Sequence, residues 1–590
     1  MSSSFDVVIC GGGLAGLTLA RQLRREVPEA SVAVVERQRR PLPDAAHKVG
    51  ESSVELGSHY FGVVLGLGDH LRERHLIKNG LRFFPGGGRT HRIAERTEVG
   101  PPDLPRVPSF QLDRGRFEND LRAMVEADGV TLLEGFSVRE IRLAEGGEPH
   151  EVVISEGSQG EPRTLRGRWV IDAAGRAGLV RKKLDLTRPS GHLANASWYR
   201  VKGRIDVRDL VPESERAWHA RDPDHIRWLS TVHFMGTGYW LWLIPLSTGH
   251  TSVGVVVHDE VHPFDTIRTL ERTKEWIAHH EPFVWEQIAH YEAEDFLCLR
   301  HYSHASAQVF SENRWACVGE AGVFADPFYS PGSDFIGLAN SLTTELVRMD
   351  LAGEDFRARA AEYDDFYLRF FDVACETYRK AAPCYGQPRV MAAKIYWDDF
   401  NYWAFVCQYF FKQLWKLPPA EHARFVEIAK GFAVLSFRAQ KLLAEWAKRA
   451  SDPQRAGYVS LPPIPSLLAN LHLDLETPMT PDEAHAYMTE KLALAGELLN
   501  EILLRALISL GPSQRLELAR AVDVASWGTR IDPARLDAEE AEGGARRRRL
   551  SLVARDFERT VGRADVHPEV VSMRAMVEHV YAGLAREAAE

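Results

Sequence analysis

Cysteine is scarce in this chain, with six residues in 590, and no pair stands at C-x-x-C spacing or beside a histidine cluster. A disulfide framework and a structural zinc site are both excluded as organising elements. Long apolar runs are missing too. No stretch of 18 or more apolar residues offers a membrane-spanning helix, and the chain does not begin with a cationic segment followed by an apolar core, as a secretory signal would. The expectation is a soluble, cytoplasmic protein without an integral membrane segment. An excess of basic charge is also absent: 72 Lys+Arg face 82 Asp+Glu, a net charge of −10. Such a balance suits nucleic-acid phosphates poorly, so no nucleic-acid partner is expected. Hydrophobic residues at 45% and charged residues at 26% are ordinary folded values, and the length leaves room for several domains around a large core.

The N-terminal pattern is the first positive signal. Phe5–Cys10 is a short apolar run that ends in three glycines, Leu14–Arg25 follows helical spacing, and Ser31–Glu36 is a second apolar run. This is a strand-helix-strand opening, which predicts a parallel sheet covered by helices. Within it, Gly11-Gly12-Gly13-Leu14-Ala15-Gly16 fits G-x-G-x-x-G. Gly11 suits the tight turn, Gly13 a close backbone approach to a diphosphate, and Gly16 close helix–strand packing. Glu36 and Arg37 follow at the end of the second strand, where an acid accepts hydrogen bonds from an adenosine ribose.

Further strands are predicted at Trp169–Ala174 and Trp315–Gly319. Alternating aromatic-rich runs at Tyr239–Pro245 and Thr251–Val257 predict an antiparallel sheet. Beyond Ala352 the patterns are helical: Ala360–Lys380, Val390–Trp415, Ala420–Lys448, Thr480–Leu510 and Ser551–Arg559. Asp452–Pro465 reads as a linker, and Glu539–Arg549 as a solvated loop leading into a helix. The aromatic segment Phe400–Phe411 reads either as a helix buried between domains or as the wall of a pocket for a large apolar or carrier-tethered substrate.

Several motifs occur in a telling order: Gln111-Leu112-Asp113-Arg114, Asp172-Ala173-Ala174-Gly175-Arg176, and Val318-Gly319-Glu320-Ala321 through Asp326-Pro327. Together they resemble the flavoprotein monooxygenase superfamily over roughly the first 350 residues. The resemblance implies FAD, with Arg114 near the flavin diphosphate and Gly319-Glu320 on the ribityl chain, where the family carries Gly-Asp. It also implies that Asp326-Pro327 opens a helix aimed at the flavin pyrimidine. The sequence leaves covalent or non-covalent attachment of the flavin open, with Asp334 as a conceivable point of attachment.

Two more segments narrow the family. Lys48-Val49-Gly50-Glu51-Ser52-Ser53-Val54 resembles the loop after the second strand in flavin-dependent halogenases, which places Ser52 beside the cofactor. Trp240-Leu241-Trp242-Leu243-Ile244-Pro245 matches their W-x-W-x-I-P strand, which lies beside the flavin. Lys78 stands in Ile77-Lys78-Asn79-Gly80-Leu81-Arg82-Phe83-Phe84, similar to the K-x-G-x-x-F segment of halogenases acting on phenols and pyrroles. Burial of such a lysine lowers its pKa. By resemblance it is the catalytic residue, either holding hypohalous acid or becoming halogenated itself.

The motif Asp326-Pro327-Phe328-Tyr329-Ser330-Pro331-Gly332-Ser333 departs from the family. Tyr329 replaces the glutamate of tryptophan halogenases, so a phenol or pyrrole suits better than tryptophan. Pro331 lacks the backbone N–H of the halide-binding pair, leaving Ser330, Gly332 and Ser333 as the nearby donors.

The fold class expected is α/β: a Rossmann-like FAD-binding domain (1–190 and 301–350), an antiparallel-sheet substrate domain (191–300) and a long helical C-terminal region (351–590). The function expected is halogenation of an electron-rich aromatic, free or on a carrier protein, with halide and O2. A separate flavin reductase would supply reduced FAD, because a second dinucleotide fingerprint is not evident. A flavin monooxygenase or oxidase without halide use, and a catalytically silent flavin-binding partner, are the alternatives the sequence leaves open.

Overall fold

The computed structural model describes residues 3–587, apart from 45–47, 49, 89–91, 158–159, 451–456, 463–465, 529, 537–538, 543–544, 549–550 and 564. The opening strand Ser4–Cys10 is buried on both faces, with Val7 and Ile9 in one hydrophobic cluster and Phe5, Val8 and Cys10 in another. This two-sided burial is why its sequence is a continuous apolar run rather than an alternating one. It pairs in parallel with Val32–Glu36 on one side and Arg163–Asp172 on the other. Thr131–Glu134 and Trp315–Cys317 extend the parallel part, and His150–Glu156 and Phe136–Arg142 add an antiparallel flank, giving a seven-stranded sheet. Helix Leu14–Glu26 returns over this sheet and meets helix Gly332–Leu351, whose Asn340 donates to the Ala15 carbonyl at 3.1 Å and to Thr18 Oγ1 at 3.0 Å.

The second sheet has eight strands, in the order Leu297–Leu299, Ala194–Lys202, His250–His258, Tyr239–Pro245, Thr231–Gly236, Leu81–Phe84, Thr97–Gly100, Gly457–Ser460. The antiparallel pairing predicted from the sequence holds throughout 194–299, and strands from outside that range make the whole sheet mixed. Thr231–Gly236 runs parallel to Leu81–Phe84, and Gly457–Ser460 parallel to Thr97–Gly100. Both joins link segments more than 140 residues apart or across most of the chain, which hydrophobic alternation cannot report. The strand Tyr239–Pro245 alternates as period-2 geometry requires: Leu241 and Leu243 face one cluster, Trp240, Trp242 and Ile244 the other.

Downstream the long helices are Arg357–Arg379, Pro388–Asn401, Pro419–Arg449 and Pro481–Ser509. Thr480 caps the last with a reciprocal Thr480–Glu483 box, and Ser551 caps Leu552–Val561. The helix predicted over Val390–Trp415 is interrupted: Tyr402–Val406 forms a π-helical turn before Cys407–Phe411. Most of the linker predicted at Asp452–Pro465 lies outside the described residues, but 457–460 within it is the edge strand just named. The loop predicted at Glu539–Arg549 contains a short antiparallel pair, Glu539–Glu542 with Ala545–Arg548.

Candidate active site

Many of the residues singled out in the sequence gather at two places. The first is the C-terminal edge of the parallel strands. The chain leaves Cys10 through Gly11 at φ +124°, where an added Cβ would stand 2.3 Å from the Ala173 carbonyl oxygen, so glycine is required there. A Cβ on Gly13 would meet nothing within 4 Å, which leaves the start of helix Leu14–Glu26, with Ala15 and Gly16 in its first turn, open to a ligand. Glu36 closes the next strand; its Oε2 accepts the Gly12 N–H at 2.7 Å and its Oε1 the Gln38 N–H at 2.7 Å. Arg37 follows, exposed. Gly319 lies against Ala15, bringing Gly319-Glu320 to the glycine loop, with the Glu320 carboxylate 3.9 Å from Arg176. Arg114 donates to Glu118 at 2.7 Å and reaches the Gly50 carbonyl at 3.4 Å. The Ser52 hydroxyl pairs with that of Thr231 at 2.9 Å, so it is turned toward the protein wall.

These residues fit FAD. A helix N-terminus facing open space suits a diphosphate, and a carboxylate fixed by two backbone donors suits a ribose.

The second place is a cavity of about 750 Å³ bounded by the loop after Lys78, the start of helix Gly332–Leu351 and the C-terminal helices. Lys78 lies in its wall with no exposure to solvent. It sits in the connection between Leu76–Ile77 and Leu81–Phe84, which Gly80 turns at φ +57°. Its backbone N–H donates to the Ser109 carbonyl and its Nζ to the Ser53 carbonyl, both at 2.8 Å. Burial pulls its pKa from 10.5 down to about 7, against the raising influence of Glu55 and Asp334.

The carboxyls around Lys78 differ in state. Asp334 accepts the Gly57 N–H at 2.9 Å and the Tyr402 hydroxyl at 2.8 Å, yet burial pushes it up to about 8. Both its oxygens are thus engaged within the protein. Glu55 also pays a burial penalty, but His472, 3.2 Å away, outweighs it and holds the carboxyl below its ordinary value. Asp398 accepts from Tyr329 at 2.8 Å, Lys394 at 2.9 Å and Gln440 at 2.7 Å. Asp399 lines the same cavity, and burial, then Glu55 and Asp398, drive its pKa well above the usual range. Sequence reading missed Glu55, Asp398, Asp399 and His472, whereas Tyr402 belongs to the aromatic segment read as a possible pocket wall and does line the cavity. None of the four missed residues sits in a recognisable motif, and the only hint was the aromatic run beginning at Phe400.

Trp240 and Trp242 are buried, with ring centroids 5.5 Å apart. Trp242 donates to Ser252 Oγ at 3.1 Å. Trp240 touches Phe328 edge-on at 5.3 Å and His233 at 5.4 Å, and His233 stacks on Phe83 at 4.8 Å. Burial, then the charge of Lys78, lowers His233 to about 3, so this ring is neutral. Neither tryptophan lines the cavity, whereas Tyr329 does.

The helix expected to open at Asp326-Pro327 opens instead at Gly332, with Pro331 as its cap. A turn intervenes, closed by the Ser330 N–H on the Pro327 carbonyl at 2.9 Å, with Ser330 at φ +59°. Asp326 is buried and faces inward, accepting from His192 at 2.6 Å and Tyr302 at 2.5 Å. Those bonds outweigh its burial and hold its pKa below the ordinary value. At the helix start, a Cβ on Gly332 would meet nothing within 4 Å, while the Ser333 hydroxyl is buried against Gly57.

Residues 4–323 match the family described as FAD binding domain. The chain is 30% identical over 428 residues to the flavin-dependent halogenase chlA of Dictyostelium discoideum, covering 68% of this chain and 70% of that protein. A 1H-pyrrole-2-carbonyl-(peptidyl-carrier protein) chlorinase of Pseudomonas fluorescens is 24% identical, covering 56% and 72%. Among solved structures, halogenase PltM superposes with a TM-score of 0.59 at 14% identity, covering 84% of this chain and 96% of that one. The motifs, the FAD cradle and these relatives converge, and the chain belongs to the flavin-dependent halogenase family, as an FAD-dependent halogenating oxidoreductase.

Proposed function

We propose that this halogenase acts on an electron-rich hydroxylated aromatic ring held in the 750 Å³ cavity, and that Lys78 delivers the halogen. The observation that carries this reading is a fully buried lysine in the cavity wall with a pKa of about 7. Reduced FAD, when bound, supplies the reduction of O2 that oxidises halide. Everything after that falls to the chain's own residues.

Lys78 is poised to give and regain a proton near neutrality. As an ammonium it donates to the oxygen of hypohalous acid and orients the halogen toward the ring. When the ring attacks, the O–X bond breaks and the C–X bond forms. The proton from Lys78 joins the departing hydroxide to make water. The ring proton passes to the Glu55 carboxylate, which His472 keeps ionised, and Glu55 returns it to Lys78. The hydroxyl of a phenol stabilises the positive charge in the ring, so a carboxylate at the Tyr329 position is unnecessary. For halide, the Gly332 N–H at the start of a 20-residue helix offers a donor beside open space.

A phenol-type or pyrrole-type ring is the substrate class supported, with a separate flavin reductase as electron source. Among the described residues no helix is long and apolar enough to cross a membrane. Delivery on a carrier protein is a second reading; the relative acting on carrier-held pyrrole supports it. Halide-independent oxygenation is the other rival, favoured by Pro331, which removes one backbone donor at the helix start.

The test is turnover with FAD, a flavin reductase, NADH and a panel of phenols and pyrroles, in chloride, in bromide and in neither. A product isotope pattern that follows the added salt, lost in Lys78→Met while FAD stays bound, is expected. A halide-independent gain of oxygen would overturn the reading.

A further inference from the structure

The cavity is far larger than one ring. A cavity of roughly 150 Å³ holds benzene, so about 750 Å³ leaves most of the space to something else. Its lining is also divided by chemistry. The buried end holds Lys78, Glu55, Asp334 and Asp399, of which Lys78 has no solvent exposure. Glu55, Asp334 and Asp398 already have partners there. Asp399 makes no side-chain hydrogen bond among the described residues, which leaves its carboxyl available to a ring hydroxyl.

From that end the lining turns mostly apolar along two helices, with Phe366, Phe370 and Val373 on Arg357–Arg379 and Val426, Ala433 and Phe437 on Pro419–Arg449. From Val426 to Phe437 the second helix runs about 16 Å at 1.5 Å per residue. The trough ends at Leu104, Val434, Phe437 and Leu473, exposed by 38%, 48%, 40% and 37%. Four of the twelve exposed large hydrophobics among the described residues therefore rim this one mouth. Scattered apolar residues need no explanation, whereas a cluster at the mouth of a cavity marks a binding site. Apolar side chains predominate along the trough, although Arg369, Asp372, Lys430 and Ser436 also line it, so it suits an alkyl chain better than the amide-bearing arm of a carrier protein.

We infer that the substrate is an aromatic amphiphile: a hydroxylated ring seated between Lys78 and Asp399, with a long hydrocarbon substituent lying in the trough between Arg357–Arg379 and Pro419–Arg449. The inference rests on the aromatic-halogenation reading above and names the part of the substrate that reading leaves open.

The experiment uses a series of 5-alkylresorcinols from methyl upward with the FAD-loaded enzyme. Two readouts run side by side: dissociation constants by calorimetry, and halogenated product by mass spectrometry with reductase and bromide. Each added methylene should tighten binding about fourfold until the tail reaches the mouth. Ala433→Trp, placed in the trough and away from Lys78, should erase this gain, and unchanged FAD binding and circular dichroism report that the variant folds. Equal affinity across the series, or an Ala433→Trp variant that keeps the chain-length gain, overturns the inference. Turnover of a carrier-bound ring alone, with flat affinity for the free series, overturns it in favour of carrier delivery. Chain-dependent binding without halogenated product would sustain the tail site and remove the catalytic reading, so the two fail separately.

Discussion

Replacing Lys78 by methionine should make the protein more stable and at the same time inactive. In the unfolded chain the amine titrates at 10.5; in the fold burial holds it at about 7. Below pH 7 both states are charged, and the folded state bears the full penalty. At 1.36 kcal/mol per pH unit the gap amounts to about 5 kcal/mol, of which about 4 kcal/mol is present at pH 7. As pH rises toward 10.5 the unfolded amine also loses its proton and the penalty fades, to about 2 kcal/mol at pH 9. Methionine removes the charge but also the 2.8 Å bond to the Ser53 carbonyl, which offsets about 1 kcal/mol. The variant should therefore gain about 3 kcal/mol at pH 7 and about 1 kcal/mol at pH 9. Guanidinium unfolding of both proteins at the two pH values, followed by tryptophan fluorescence, reads this directly. The parent's halogenation rate should also fall as pH rises through about 7, because the ammonium donor is lost. A variant less stable than the parent at both pH values, or an advantage that does not shrink between pH 7 and 9, would refute the reasoning and make Lys78 a structural hydrogen-bond donor.

Glu36→Ala removes the acceptor of the Gly12 N–H and should weaken FAD binding at least tenfold, measured by flavin fluorescence titration. Pro331→Ser restores a backbone donor at the cap of helix Gly332–Leu351; the halide KM should fall about tenfold at unchanged aromatic KM. Glu98 is buried between Arg82 at 2.6 Å and Arg227 at 2.8 Å. Glu98→Gln strands two buried guanidinium groups and should cost about 3–5 kcal/mol in denaturant unfolding.

The features legible in the sequence are those that local spacing enforces. A strand buried on both faces must be a continuous apolar run, the turn after Cys10 must be glycine, and the acid that locks the loop must close the next strand. Hence the nucleotide-binding half could be read from Phe5–Glu36. The tryptophan strand was legible because period-2 geometry puts Trp240 and Trp242 on one face, and the capped helices because Thr480 and Ser551 sit where orphan N–H groups need acceptors. The motif around Lys78 marked the residue, but not its state.

What only the tertiary structure decided depends on contacts that skip long stretches of chain. Lys78 titrates at about 7 because the start of helix Gly332–Leu351 and the C-terminal helices enclose it. Gly457–Ser460 joins Thr97–Gly100 as a parallel edge, which no local pattern announces. Asp326 faces His192 and Tyr302 rather than opening a helix, since Pro331 sets the start at Gly332. The cavity itself is lined by segments near 55, 78, 104, 334, 370, 399, 433 and 472. Its volume and its polar and apolar ends are properties of their assembly, because space between elements is fixed by packing and not by any one element's sequence.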